Sequence, residues 1–148
     1  MPFINFTFNN IILMDVVTGS KELLPIEFNT TDMSILQRIL ERIPGEYWIA
    51  TRRGLYIYND KDKTTEVISN TDRWELEDLN VICMITDRED NVWIGTFHAG
   101  LSTWYNNDDS IKRYFPDGKP GSINGAQFRA LAEDNDGNIW IGSQNGHI

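Results

Sequence analysis

The segment Asn91-Val92-Trp93-Ile94-Gly95-Thr96 returns almost residue for residue as Asn138-Ile139-Trp140-Ile141-Gly142-Ser143. Glu46-Tyr47-Trp48-Ile49-Ala50-Thr51 is a looser copy, and Phe3-Ile4-Asn5-Phe6 a worn one. The tryptophans stand 45 residues apart (48 to 93) and then 47 apart (93 to 140), and Phe3 lies another 45 before Trp48. Each copy is short, apolar and bounded by turn-forming residues, the pattern of a buried strand. A period of about 40–50 residues built from short strands belongs to arrays whose units bury their faces against one another. That period limits the chain to a stacked or radial arrangement of small sheets.

Each unit divides into four strands, here lettered A to D from the axis outward. In the clearest unit A is Val81 to Thr86, B is Val92 to Thr96, C is Leu101 to Tyr105 and D is Ile111 to Phe115. The turns between them are rich in Asp, Asn and Gly, which suits tight hairpins. In the unit before, A is Ile35 to Leu40, B Tyr47 to Thr51, C Leu55 to Tyr58 and D Thr65 to Ile68. Met33 to Arg42 also shows helical spacing at Ile35, Leu36, Ile39, Leu40 and Ile43, and the repeat is allowed to overrule it. At the start, Phe3 to Thr7 reads as a B, Ile11 to Met14 as a C, and Glu22 to Phe28 as a D broken by Pro25. The last unit begins at Phe128 and stops where a C would start.

The predicted fold is therefore all-β: a partial β-propeller of about three four-stranded antiparallel blades, with unfinished blades at both ends. Its divisions are 1–34 (partial blade), 35–80 and 81–127 (blades) and 128–148 (partial blade), all within one propeller domain. Closed propellers use roughly four to eight blades. A chain with little more than three units is either a fragment or completes itself by association.

Charge narrows the partners. A net charge of −9 argues against nucleic acid, which needs a basic stripe to displace counterions from phosphates, and against an anionic membrane surface. No run approaches the ~20 apolar residues of a membrane span, and Met1-Pro2-Phe3-Ile4-Asn5-Phe6 has neither the basic leader nor the cleavage site of a signal peptide. No cofactor motif is present. The single Cys83 lies in an apolar strand, where an inert buried thiol is expected.

The order D-x-x-G-N-[IL]-W-I-G-T followed by G-L-x-x-[FY] resembles the two-component regulator propeller repeat. Asp134 to Ser143 matches it well, and Asp87 to Thr96 with Gly100-Leu101 matches with Asp90 in place of the glycine. Trp48 to Thr51 and Gly54-Leu55-Tyr56 match in the strands but not in the preceding turn. The resemblance implies the extracytoplasmic sensor region of a hybrid two-component histidine kinase, hence a periplasmic location. It implies a carbohydrate cue, commonly an oligosaccharide, and dimer-dependent signalling to a kinase across the membrane.

The repeated tryptophans (Trp48, Trp93, Trp140) are expected to be wedges between sheets, with Gly95 and Gly142 leaving room for the neighbouring blade. Asp134-Asn135-Asp136-Gly137-Asn138 resembles a calcium loop but lacks the closing bidentate Glu, and its residues are those a tight A–B turn wants, which is the favoured reading. No metal is assigned. No catalytic constellation is evident, since His98 and His147 have no nucleophile or ligand partner in the sequence.

In a propeller, A–B and C–D turns emerge at one end, B–C turns and D–A connections at the other. The first end carries nearly half of the 22 acids, Asp87, Asp109 and Asp134 among them. The second carries Arg52, Arg53, Arg73, Trp74, Phe97, His98, Gln144 and Asn145. Flat aromatic plates with directional donors are what a sugar-binding rim requires, so these are the candidate ligand-binding residues. Two other classes remain open: a polysaccharide-acting propeller enzyme, either a sialidase-like hydrolase or a lyase, and a purely structural protein-interaction propeller. Unpaired strand edges are association-prone. Self-association is expected, as a dimer or head to tail, with 128–143 of one copy meeting 11–28 of another.

Overall fold

The computed structural model describes residues 11–26, 28, 36–52, 54–68, 80–125 and 127–144. Every regular element among them is a strand. β1 (Ile12–Met14) and β2 (Lys21–Leu23) form a hairpin. β3 (Leu36–Ile43), β4 (Glu46–Thr51), β5 (Leu55–Asn59) and β6 (Thr64–Ile68) form one four-stranded antiparallel sheet in chain order. β7 (Val81–Thr86), β8 (Val92–Thr96), β9 (Leu101–Tyr105) and β10 (Ser110–Tyr114) form a second. β11 (Phe128–Glu133) and β12 (Ile139–Ser143) pair alone.

The all-β, blade-like reading holds, with two complete sheets and two half-sheets. Strands A, B and C of the middle unit fall where the repeat placed them, and D begins one residue earlier. The first D is shorter than expected: β2 ends at Leu23, ahead of Pro25, which has no N–H to give a ladder. The strand expected at Phe3 to Thr7 lies outside the described residues.

The first hairpin is a C–D pair by its geometry. In both full sheets the first residue of C faces the last residue of D thirteen positions on, Leu55 with Ile68 and Leu101 with Tyr114. Leu24 donates its N–H to the Ile11 carbonyl at the same spacing. The turns match too. Asp15 Oδ1 accepts from the N–H groups of Val17 and Thr18, as Asn59 Oδ1 does from Lys61 and Asp62.

The three A–B hairpins share a second device. The register slips by one residue between Leu36 and Arg38, between Val81 and Cys83, and between Phe128 and Ala130. Each A strand thus carries a β-bulge at the same place, leaving one extra residue out of the ladder.

The sheets pack face to face. Trp48, Ala50, Leu55 and Ile68 of the first meet Val81, Met84, Val92, Ile94 and Trp104 of the second in one core, where the rings of Trp48 and Trp104 lie 5.2 Å apart. The other face of the second sheet sends Cys83 and Leu101 against Phe128. The other face of the first, with Ile49, Tyr56 and Tyr58, covers Ile11, Leu24, Ile26 and Phe28. Cys83 is the buried free thiol expected, and burial pushes its pKa up to about 11.

Trp48 and Trp93 both pack between adjacent sheets, but the three tryptophans differ in how far they are covered. Trp48 is 1% exposed but Trp140 is 60% exposed, with Trp93 between them. Trp48 faces the second sheet and Trp93 the third. Among the described residues no strand C of the third unit stands opposite Trp93, where Trp48 has Trp104.

What the three rings share is a carboxylate. Asp87 Oδ2 accepts from the Trp93 indole N–H at 2.8 Å and from the Asn91 amide at 3.1 Å, while Oδ1 accepts the backbone N–H groups of Glu89 and Asn91. Asp134 repeats the pattern on Trp140, Asn138 and the Asp136 and Asn138 N–H groups. The first Asp of the turn is thus an anchor between turn and strand B, with every bond donated by N–H. In the shorter first turn Glu46 Oε1 accepts from Trp48 at 2.8 Å, and Asp109 does the same for Trp104 at 2.7 Å.

These bonds set a pH dependence. At Asp87 burial works to raise the pKa but the donors outweigh it; at Asp134 the Trp140 and Asn138 bonds pull it well below the usual range. A folded pKa below the unfolded one stabilises above that unfolded value and is lost as pH falls through the folded one. Urea midpoints should therefore hold from pH 7 to about 4 and fall below it, near the ordinary Asp pKa. Asp87→Asn should shrink the acid drop while lowering the midpoint at pH 7. An unchanged acid limb would remove Asp87 from the account.

Candidate functional site

Arginines pin adjacent sheets at the A–B/C–D end. Arg42 of β3 pairs with Glu46 at 2.5 Å, reaches Asn106 Oδ1 of the next sheet at 3.1 Å and lies over the Trp104 ring. Arg88 donates to Glu133 Oε1 at 2.6 Å and to the Asp134 carbonyl at 2.8 Å. Glu46, Asp87, Asp109, Glu133 and Asp134 of this end are committed to indoles or guanidinium groups. It is a structural rim.

The opposite end is built differently. Thr96 and Thr51 close the B–C turns in the same way, each hydroxyl donating to the carbonyl of the turn's glycine, Gly100 or Gly54. The residue after strand B is then tied to the residue before strand A: Phe97 N–H to Asn80 O, and Gln144 N–H to Gln127 O. Phe97 and Gln144, the residues that follow strand B, thus hold equivalent places on adjacent sheets.

Between them stands Arg129. Its guanidinium lies 5.1 Å from the Phe97 ring centroid and donates through Nε (3.1 Å) and Nη2 to Gln144 Oε1. His98 meets Phe97 edge-on at 4.5 Å. His98, Arg129 and Gln144 are exposed and Phe97 half-buried. The result is an aromatic plate carrying a cation held in place by an amide, open to solvent.

The structure therefore brings Phe97, His98 and Gln144 together, as neighbours of one arginine. Arg52 is exposed on the first sheet's B–C turn, without a recorded contact to that group. Arg53, Arg73, Trp74 and Asn145 lie outside the described residues. Sequence reasoning missed Arg129, which reads as an interior position of strand A. It is the extra residue of the bulge between Phe128 and Ala130, and bulges re-aim side chains in this way. A basic residue at the second position of strand A was the available signal.

The sequence pattern of one family fits these units. The two component regulator propeller pattern matches residues 75–98 and 122–145. Those two segments are similar to the two-component regulator propeller repeat. Each repeat spans strand A, the A–B turn, strand B and the start of the B–C turn, so the pair encloses Phe97, His98, Arg129 and Gln144. At the glycine position of the repeat turn Gly137 has φ 86° and Asp90 φ 61°. The left-handed conformation is kept, and aspartate is among the few other residues that tolerate it.

Solved structures share the fold. One, described as the extracellular domain of a hybrid two component system, BT3049 of B. thetaiotaomicron, aligns over 90% of this chain at 20% identity and TM-score 0.67. BT4673 of the same organism aligns over 92% at 18% identity and TM-score 0.69; it is described once as a one component and once as a hybrid two component system. This chain covers 18% of the length of each of these structures. No curated protein matches it.

Proposed function

We propose that this propeller-repeat chain is part of the extracytoplasmic, periplasmic ligand-sensing region of a two-component sensor histidine kinase. It recognises carbohydrate at its B–C end and catalyses nothing itself. The observation that carries this is Arg129, laid on Phe97 and fixed by Gln144 between two B–C turns. An apolar plate stacks on the face of a sugar ring while fixed donors select hydroxyl or acid oxygens, and few groups suffice when they are held rigid. The repeat family and the extracellular sensor domains that share the fold support the same reading. In the described residues no helix is long and apolar enough to cross a membrane.

An oligosaccharide array followed by titration calorimetry on the best binder tests this. Phe97→Ala or Arg129→Ala should weaken binding by about tenfold or more, the loss of a contact worth at least ~1.4 kcal/mol. Asp62→Asn, at the opposite end, should leave it unchanged. Absence of saturable binding to any saccharide, or binding indifferent to both site variants, would overturn the proposal. Saccharide turnover abolished by one acid substitution would move the chain to the enzyme class.

A further inference from the structure

The three bulges put three residues in equivalent places. Gln37 is left out of the ladder between Leu36 and Arg38, Ile82 between Val81 and Cys83, and Arg129 between Phe128 and Ala130. Fifteen positions after each comes the residue that leaves strand B for the B–C turn: Arg52, Phe97 and Gln144. A residue taken out of its ladder no longer belongs to either face of the sheet, and the bend of the bulge re-aims it. The third sheet displays the result. Arg129 turns to Gln144 of its own unit and onto Phe97 of the unit before.

By equivalence, Ile82 belongs beside Phe97 of its own unit and Arg52 of the unit before, and Gln37 beside Arg52 of its own. The row across the three sheets is then Gln37, Arg52, Ile82, Phe97, Arg129 and Gln144. It has an apolar centre with one cation and one amide on either side. The flanks carry the same two groups in exchanged places: the arginine is on the bulge in the third sheet and on the turn in the first. Arg52 is exposed and Gln37 half-buried, and Gln37 lines a groove of about 740 Å³ between β3 and β7. Among the described residues neither has a hydrogen-bond or ion-pair partner, whereas Arg129 and Gln144 hold one another. The donors of the first flank are unspent.

We infer, on the carbohydrate reading of this end, that Gln37 and Arg52 form a second recognition point and that the site reads an extended oligosaccharide rather than a single sugar. One ring stacks on Phe97 beside Ile82. Arg129 with Gln144 takes oxygens on one side of that ring, and Arg52 with Gln37 takes those further along the saccharide. Sheets packed face to face stand about 10 Å apart, so groups carried by the first and third sheets are parted by more than one sugar ring reaches. The outer contacts exist only for a saccharide long enough to cross the second sheet. Length is thereby selected, and Gln37 and Arg52 are the residues that select it.

Calorimetry with a size series of the best-binding saccharide, from its monosaccharide upward, tests this. Wild-type affinity should climb with length. Gln37→Ala and Arg52→Ala should leave monosaccharide binding unchanged and weaken the longer members by about fivefold or more, as for truncation of an interface contact. Arg52→Lys, which keeps the charge but not the planar fork, should recover part of the loss. Arg129→Ala should weaken every length. Equal weakening at all lengths by Gln37→Ala and Arg52→Ala would make the pair structural and overturn the inference. So would indifference to both substitutions while Arg129→Ala still weakens binding, or a wild-type affinity already complete with the monosaccharide. Absence of saturable binding to any saccharide would remove the carbohydrate reading and this inference with it.

Discussion

Trp48→Ala should cost ~3–5 kcal/mol in urea unfolding, the range for truncating a buried aromatic. The same change at Trp93 should cost an intermediate amount, and at Trp140 about 1 kcal/mol or less, as for an exposed position. The three residues hold one motif position and one kind of hydrogen bond, an indole N–H to a carboxylate. They differ in how much of the following sheet lies over the ring. The series therefore separates packing from motif. Equal losses at the three sites would end the wedge account.

Gly95→Ala should lose ~1–3 kcal/mol, the usual penalty of overfilling a packed core. A Cβ at Gly95 meets Cys83 Sγ at 2.5 Å and Phe128 Cβ at 3.2 Å, one contact within its own sheet and one across to the next. Cys83→Ala removes the first obstacle, so the double variant should recover part of the loss. That recovery, read as a coupling between the two substitutions, is the decisive measurement. Thermal or urea melts that are simply additive would assign the glycine to something other than its approach to Cys83. At Gly142 the facing residue is Ala130, and an added Cβ would meet it at an ordinary 3.4 Å.

The tryptophan period was enough to place strands B, C and most of A, because burial on both faces demands unbroken apolar runs at fixed spacing. It was also right to overrule the helical spacing of strand A. Leu36 and Ile39 share one face of β3, Leu40 and Ile43 the other, each pair three apart because a bulge interrupts the alternation. Two bulges in one strand imitate a helix. The anchoring acids were less legible. Asp87 and Asp134 were read as turn formers, although their separation of six from Trp93 and Trp140 recurs in both repeats. The B–C end was legible in its turns, Phe97, His98 and Gln144, and illegible at Arg129, since a strand residue turned out of its ladder leaves no mark in alternation.

The shared bulge also constrains how such a chain can grow. A strand's side chains change sides with every single-residue shift, and the bulge resets that count once in every A strand. Between bulge and A–B turn the phase is locked, so a lone inserted or deleted residue there would exchange the face carrying Met84 with the face carrying Cys83. Turns and D–A connections carry no such phase. Copying errors that this architecture survives are therefore whole units or loop-length changes, consistent with spacings that drift from 45 to 47 while every bulge keeps its place.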